Sequence, residues 1–349
     1  MMSRPLQEGV SRYLVDRARW HPLEIAFWVV ALASVFLLSG KHLILTEIVV
    51  LALFALSLDL ILGYSGIISL GHAAYFGFAG YVAGLLAKHN IITEPVLALI
   101  VSGLAAALLG FVTSFLVLRG SDLTRLMVTL GVSLVLREIA NQIDWLTGGA
   151  DGLQGIVMAP VLGLFAFDLA GHVAYVYSLC VLFIMVLLAR RIVNSPFGLS
   201  LRSVKDNPVR ASALGIPVNG RLVAMYTVAA GYAGIAGALL TQTTQFVSLD
   251  VLSLERSADV LLALVIGGTG YLYGGIIGAI LFKLMQDYLA NLTPQYWQFW
   301  IGLVLVIIVL VGRERLTNWT TPVRAFLARL GPRAAHPVET APASTVDER

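Results

Sequence analysis

The chain has 349 residues, of which 58% are hydrophobic and 12% charged, about half the charged share of a soluble globular domain. That balance makes a lipid bilayer the solvent, and a net charge of +3 is too small to point to nucleic acid. The single cysteine, Cys180, excludes an intramolecular disulfide and a cysteine metal cluster; within VAYVYSLCVLFIMVLLA it reads as a small core residue.

A basic arm, residues 1–22, carries Arg4, Arg12, Arg17 and Arg19. No small-residue cleavage site follows the first apolar run, so that run reads as a retained helix rather than a signal peptide. Runs long enough to span, roughly 17 to 25 residues each, occupy 23–39, 43–62, 66–87, 95–118, 173–193, 222–242 and 296–312. A weaker run at 123–143 and a glycine-broken one at 258–291 complete the set. The expected fold is an all-α polytopic membrane protein of about nine to ten hydrophobic segments, with a transmembrane domain over 23–315 and a tail over 316–349.

Of the 23 lysines and arginines, 18 fall in the arm, the 119–125 link, the 190–221 loop and the 313–349 tail. By the positive-inside rule these segments, and both termini, are expected in the cytoplasm. Two cytoplasmic termini need an even number of passes. The 258–291 run is therefore expected to dip to mid-membrane, turn at its glycines and leave on the side it entered.

The same kind of break occurs early. Leu60 to Gly71 reads LILGYSGIISLG and Leu264 to Gly275 reads LVIGGTGYLYGG, 204 residues apart. Both give three apolar residues, Gly, any residue, Ser or Thr, Gly, two apolar residues, two further positions and Gly, a weak parallel repeat of a kind found in transport proteins. Glycine allows positive backbone angles and close helix approach, and non-helical backbone at membrane depth needs protein or a water-filled cavity around it. Gly63, Ser65, Gly66, Ser69, Gly71 and His72, with Gly267, Gly268, Thr269 and Gly270, are thus candidates to border a solute path or to pack the broken helices. His72 is expected to be neutral and hydrogen-bonded, either to solute or to a neighbouring helix carbonyl. Tight packing alone is the plainer reading of any single glycine.

Between two confident spans lies NSPFGLSLRSVKDNPVRASALGIPVNGR, Asn194 to Arg221. Pro196 and Gly198 break the preceding helix, Asn207 and Pro208 form an N-cap and first-turn pair, and Gly215 with Pro217 ends the next helix. Two short helices follow, with an expected exposed face of Arg202, Lys205, Asp206 and Arg210 mixed with Val204, Val209, Ala213 and Leu214. Such a face suits a partner's groove; a merely solvated basic loop is the plainer alternative.

Taken together, GYSGIISLGHAAYFGFAGYVAGLL, RGSDLTRLMVTLGVSLVLREIANQIDWLTGGADGLQGI, SPFGLSLRSVKDNPVRASALGIPVN followed by AGYAGIAGALL, and ADVLLALVIGGTGYLYGGIIGA resemble the LivM-type permeases of branched-chain amino-acid ABC importers, in order over roughly residues 43–315. The resemblance implies a bacterial inner-membrane subunit that pairs with a LivH-like permease, two cytoplasmic ATPases and a periplasmic binding protein. It also implies alternating access without covalent chemistry and a 195–217 coupling segment in which Arg202, Lys205, Asp206, Asn207, Pro208, Arg210, Ala213, Leu214 and Gly215 meet the ATPase pair. Leu, Ile or Val is the implied cargo, with urea and short amides as alternatives. The basic arm and the Pro/Ala/Thr-rich tail after Gly331 lie outside the resemblance.

The sequence holds no GxxxxGK[ST] phosphate loop, since SGKH at Ser39 to His42 lacks the spacing. No cofactor is expected, and ATP would be bound by other subunits. HExxH and GxSxG are also missing, leaving an intramembrane hydrolase little support. A proton- or sodium-coupled secondary carrier is the different-class alternative, with Glu47, Asp59, Glu138 and Asp287 as candidate relays.

Overall fold

A computed structural model describes residues 22–38, 40–168 and 170–311. The basic arm before Pro22 and the tail after Val311 lie outside the described residues. The chain separates into two compact units, Met1–Leu292 and Thr293–Arg349.

Among the described residues the protein is helical, with isolated bridges and no extended strand. The helices are α1 (Pro22–Leu37), α2 (His42–Ser65), α3 (Ala73–Lys88), α4 (Pro95–Val117), α5 (Asp122–Gln142), the single turn α6 (Asp144–Thr147), α7 (His172–Val193), α8 (Pro196–Asp206), α9 (Pro208–Ala213), α10 (Val218–Thr244), α11 (Leu254–Gly267), α12 (Leu272–Leu292) and α13 (Trp297–Val311). Among the described residues four helices, α2, α4, α7 and α10, are long and apolar enough to cross a membrane, or five spans if the bent pair α11–α12 counts as one. The protein is accordingly a multi-pass membrane protein. The remaining apolar runs make shorter or more polar helices. α3 starts only at Ala73 because 66–72 is not helical, and α5 carries Asp122, Arg125, Arg137 and Glu138.

α2 is the centre of the first unit. Its sequence is apolar on every side, the pattern of a helix enclosed by others, and nearly all of it from Ile48 to Ser65 is buried. α10, α12, α7 and α11 surround it, while α10 also packs on α3 and α4. α11 and α12 meet at 113° across a break of four residues or fewer, and that turn lies beside the C-terminal end of α2 rather than at its middle.

Cys180 is exposed, not a core residue. It lies on one face of α7 with Val176, Ile184 and Leu188, each exposed and spaced by four residues along the helix. An all-apolar helix gives no periodic signal of which face is enclosed, and this stripe is the outward one.

Candidate functional site

The glycine segments of the two breaks meet at the end of α2. Gly66 ends that helix in the left-handed conformation, φ +73°, which costs a side-chain-bearing residue about 1–2 kcal/mol. One turn earlier, Gly63 faces the α11–α12 turn so closely that an added Cβ would lie 2.5 Å from the amide nitrogen of Gly270. Gly270, itself at φ +81°, donates its N–H to Asp59 Oδ1 at 2.7 Å. Asp59 is fully buried, one turn before Gly63 on the same face of α2.

The loop helix α8 reaches the same point. Lys205 Nζ donates to the carbonyl of Gly63 at 2.7 Å, satisfying one of the carbonyls that a helix C-terminus leaves without an intrahelical partner. The Lys205 stem runs over Gly66, its Cγ 3.1 Å from where a Cβ would stand. Arg202 lies 5.2 Å from the centre of the Tyr64 ring, a cation–π distance. Beside this clasp the ion pair Arg190–Glu24 ties α7 to α1, and a cavity of about 700 Å³ opens between Glu24, Tyr64, Arg202, Asp206 and Thr269. Three elements, α2, the α11–α12 turn and α8, thereby meet at the Asp59–Gly66 end of α2.

Most of the polar groups in the rest of the first break are enclosed. Ser65, Ser69 and His72 are buried. His72 Nε2 pairs with the Ser57 hydroxyl at 2.9 Å, a hydroxyl rather than the carbonyl considered from the sequence, and its ring stacks on Phe54 with centroids 5.7 Å apart. Gly71 abuts the backbone carbonyl of Thr129 in α5. In the second break Gly267 abuts the Gly274 carbonyl, and Gly268 takes φ +97°.

In the 194–221 loop the breakers act as their chemistry requires. Ser195 accepts from Gly198 N–H and Asn207 Oδ1 accepts from Arg210 N–H at 2.9 Å, so each short helix begins at a side-chain cap followed by proline. Gly215 follows α9 at φ +82°. The expected exposed face needs correction at two positions, because Val204 is 4% exposed and Arg202 is half-buried, while Lys205 stays exposed although its Nζ reaches α2. α8 packs against the spanning helices, burying the side it would otherwise show. What remains outward is Asp206, Arg210 and Ala213, with Val209 79% and Leu214 73% exposed.

The acidic residues of the carrier alternative lie in four separate settings. Glu47 pairs with Lys283 at 2.6 Å, Asp59 holds Gly270, Glu138 accepts from Gln142 at 2.7 Å and Asp287 is exposed. Among the described residues no group of three or more His, Cys, Asp or Glu is placed to hold a metal ion. Sequence reasoning missed Tyr64, Glu24 and Arg190 at the clasp and Ser57 under His72. An acid in the first turn of α1 and an arginine at the end of α7 carry no local motif, and only their pairing across 166 residues gives them a role; Ser57 likewise gains one only from His72.

A central buried helix clasped by a glycine turn and by a loop helix, inside a bundle of apolar spans, is the architecture of a polytopic membrane protein. The chain belongs to the branched-chain amino acid transport system / permease component family, whose profile matches residues 42–309. It is 25% identical over 320 residues to the high-affinity branched-chain amino acid transport system permease protein LivM of Escherichia coli (strain K12), covering 85% of this chain and 75% of that protein. It is also 25% identical over 266 residues to a probable branched-chain amino acid transport permease protein LivH of Methanocaldococcus jannaschii, covering 71% of this chain and 81% of the relative. The fructose import permease protein FrcC of Rhizobium meliloti is 24% identical over 303 residues, covering 83% and 82%. No solved structure matches.

Proposed function

We propose that this chain is one permease subunit of an inner-membrane ABC importer for branched-chain amino acids. It works beside a LivH-like permease, two ATPase subunits that bind ATP, and an external binding protein, and it needs no cofactor of its own. The observation that carries the reading is the clasp at Gly63: α8, in the basic loop, is tied by Lys205 to the helix whose end holds the α11–α12 turn. A rigid displacement of α8 by closing ATPases pulls on Gly63 and, through it, on the turn, which is how a packed bundle carries motion between discrete arrangements. Asp206, Asn207, Pro208, Arg210, Ala213, Leu214 and Gly215 form the ATPase-facing side.

The test is uptake into vesicles holding both permeases and both ATPases, supplied with binding protein outside and ATP inside. Leucine, isoleucine or valine is expected to accumulate with ATP, and to do so after the proton gradient is collapsed. Accumulation of urea or fructose in place of leucine, or uptake that follows the proton gradient and not ATP, overturns the reading. Ala213→Asp tests the docking side. Ala213 is exposed in the chain, so insertion should be normal, while an unpaired charge buried in the ATPase contact costs on the order of 3–5 kcal/mol. ATPase association and uptake are expected to fall together; lost uptake with intact association and solute-stimulated ATP hydrolysis assigns α9 another role.

Both termini and the α8–α9 loop are cytoplasmic in this reading. After Cys180→Ala, needed because Cys180 is exposed, cysteines placed at Ser203 and Ser344 should resist impermeant maleimide added to intact cells and react once the cells are opened. Ready labelling from outside at either position reverses the topology.

A further inference from the structure

Between α6 and α7 the chain runs from Gly152 to Phe167 without a charged side chain. Leu153, Ile156, Met158 and Val161 are buried, and the first two close over Gly84 of α3, which seats the segment on the bundle. Beyond them lies a small hairpin. Val161 and Phe165 exchange two backbone hydrogen bonds, at 2.8 and 3.1 Å, leaving 162–164 as its tip. Leu162 takes φ +53°, a conformation rare for a bulky residue and a reason to look for a role. Four large apolar side chains point outward here: Leu164 is 78% exposed, Val157 69%, Leu162 67% and Phe165 58%. Glu94 ties this tip to the first turn of α4. One carboxylate oxygen accepts from Leu97 N–H at 2.6 Å, capping that helix, and the other accepts from Leu162 N–H at 3.4 Å. The Thr93 carbonyl accepts from Ala159 N–H at 3.0 Å, so the hairpin is held at the level where α4 begins.

An apolar patch of this kind marks a surface that something covers, and α4 says what the cover is. Its small residues Gly103, Ala106 and Gly110 meet Ile235, Gly234 and Ala230 of α10. Its outward face is large and aliphatic, with Leu97, Ile100, Leu104 and Leu108 all exposed at the three- and four-residue spacing of one helix face. Helix contacts inside a bilayer favour small residues, and those of α4 are already engaged with α10. The Leu97–Leu108 face therefore suits acyl chains rather than another helix. Glu94 precedes Leu97 by three residues on that same face, so hairpin and stripe form one continuous surface. A soluble partner that came and went would leave it bare in water, whereas lipid covers it permanently. We propose that the 157–165 hairpin is an interfacial membrane anchor, with Val157, Leu162, Leu164 and Phe165 seated at the boundary between lipid headgroups and acyl chains and Glu94 as the residue that positions it. Burying these side chains removes apolar surface from water, and anchors at the interface set how a span is placed in the bilayer, here α4. The anchor goes beyond the importer reading and needs only a bilayer.

Spin-label accessibility tests it. In a Cys180→Ala background a nitroxide is attached at Leu164→Cys, and separately at Gln154→Cys, an exposed polar position of the same segment. The full chain is reconstituted in vesicles of phosphatidylethanolamine and phosphatidylglycerol. Oxygen concentrates in hydrocarbon and a nickel chelate in water, so the ratio of collisions with the two should be roughly threefold or more higher at 164 than at 154, as for a group about 5–10 Å into the headgroup–acyl boundary. Equal ratios at the two positions put the hairpin in water and overturn the anchor. Shielding of the 164 label from both reagents once the other subunits are added reveals a protein contact in place of lipid, and overturns it too. Glu94→Ala removes both carboxylate bonds and should bring the 164 ratio toward the 154 value, while Glu94→Gln, which keeps one acceptor oxygen, should retain part of the difference. An unchanged ratio in Glu94→Ala overturns the positioning role of Glu94. The comparison of 164 with 154 leaves Glu94 untouched and stands even if that variant fails to insert.

Discussion

ATP-driven leucine uptake is expected to fall by roughly a hundredfold when Gly63 is replaced by leucine, the equivalent of about 3 kcal/mol and the upper part of the usual cost of overpacking a filled site. The helix itself gains from the change, since leucine is a better helix former than glycine by somewhat less than about 1 kcal/mol. Any loss therefore belongs to the contact. A Cβ at Gly63 would stand 2.5 Å from the Gly270 amide nitrogen, and backbone cannot rotate away as a flexible side chain can. Gly63→Leu must push the α11–α12 turn off α2 and break the Asp59–Gly270 hydrogen bond. Gly66→Leu and Gly270→Leu add strain of a different origin, because both positions have positive φ. Gly131 supplies the control: a Cβ there meets nothing within 4 Å, so Gly131→Leu should leave uptake unchanged. A Gly63→Leu complex that assembles and transports at the unmodified rate would remove the clasp from the mechanism.

Replacing Lys205 by methionine should cut uptake roughly tenfold while ATP hydrolysis continues. Methionine keeps much of the stem that covers Gly66 but has no donor for the Gly63 carbonyl. A half-buried acceptor left without its partner costs about 1–3 kcal/mol, and here the cost falls on the conformation in which α8 and α2 are joined. Docking of the ATPases, which the importer reading places around Arg210, Ala213 and Leu214, should be intact. The measurement is the number of leucine molecules imported per ATP hydrolysed. Lys205→Arg, which retains a donor, should recover part of it. If uptake and hydrolysis fall in parallel, Lys205 serves docking or assembly and not transmission.

Much of this was legible before any coordinates. Asn207–Pro208 and Ser195–Pro196 announce helix starts through their own side-chain oxygens and missing N–H groups, so the two loop helices follow from local chemistry. The long apolar runs likewise announce α2, α4, α7 and α10, because a bilayer demands length and apolarity and little else. The paired glycine strings mark Gly66 and Gly270 as special positions, and both adopt left-handed backbone. Each of these signals is short-range, carried by residues within a few positions of where it acts.

What sequence could not supply is who faces whom. α2 and α7 are apolar all round, so no periodicity says that α2 is enclosed on every side while Val176, Cys180, Ile184 and Leu188 of α7 face outward. Arg202 and Lys205 look like members of a freely solvated basic face until α8 is laid against α2, when Arg202 becomes half-buried against Tyr64 and Lys205, still exposed, reaches the Gly63 carbonyl. Asp59 reads as an isolated acid in a span until the turn from 211 residues away brings the Gly270 amide to it. In water, burial of apolar faces lets a pattern of polar and apolar residues report the core; in lipid both the core and the surround are apolar, so side-by-side placement rests on shape, small residues and a few buried hydrogen bonds, and those exist only once the helices are packed.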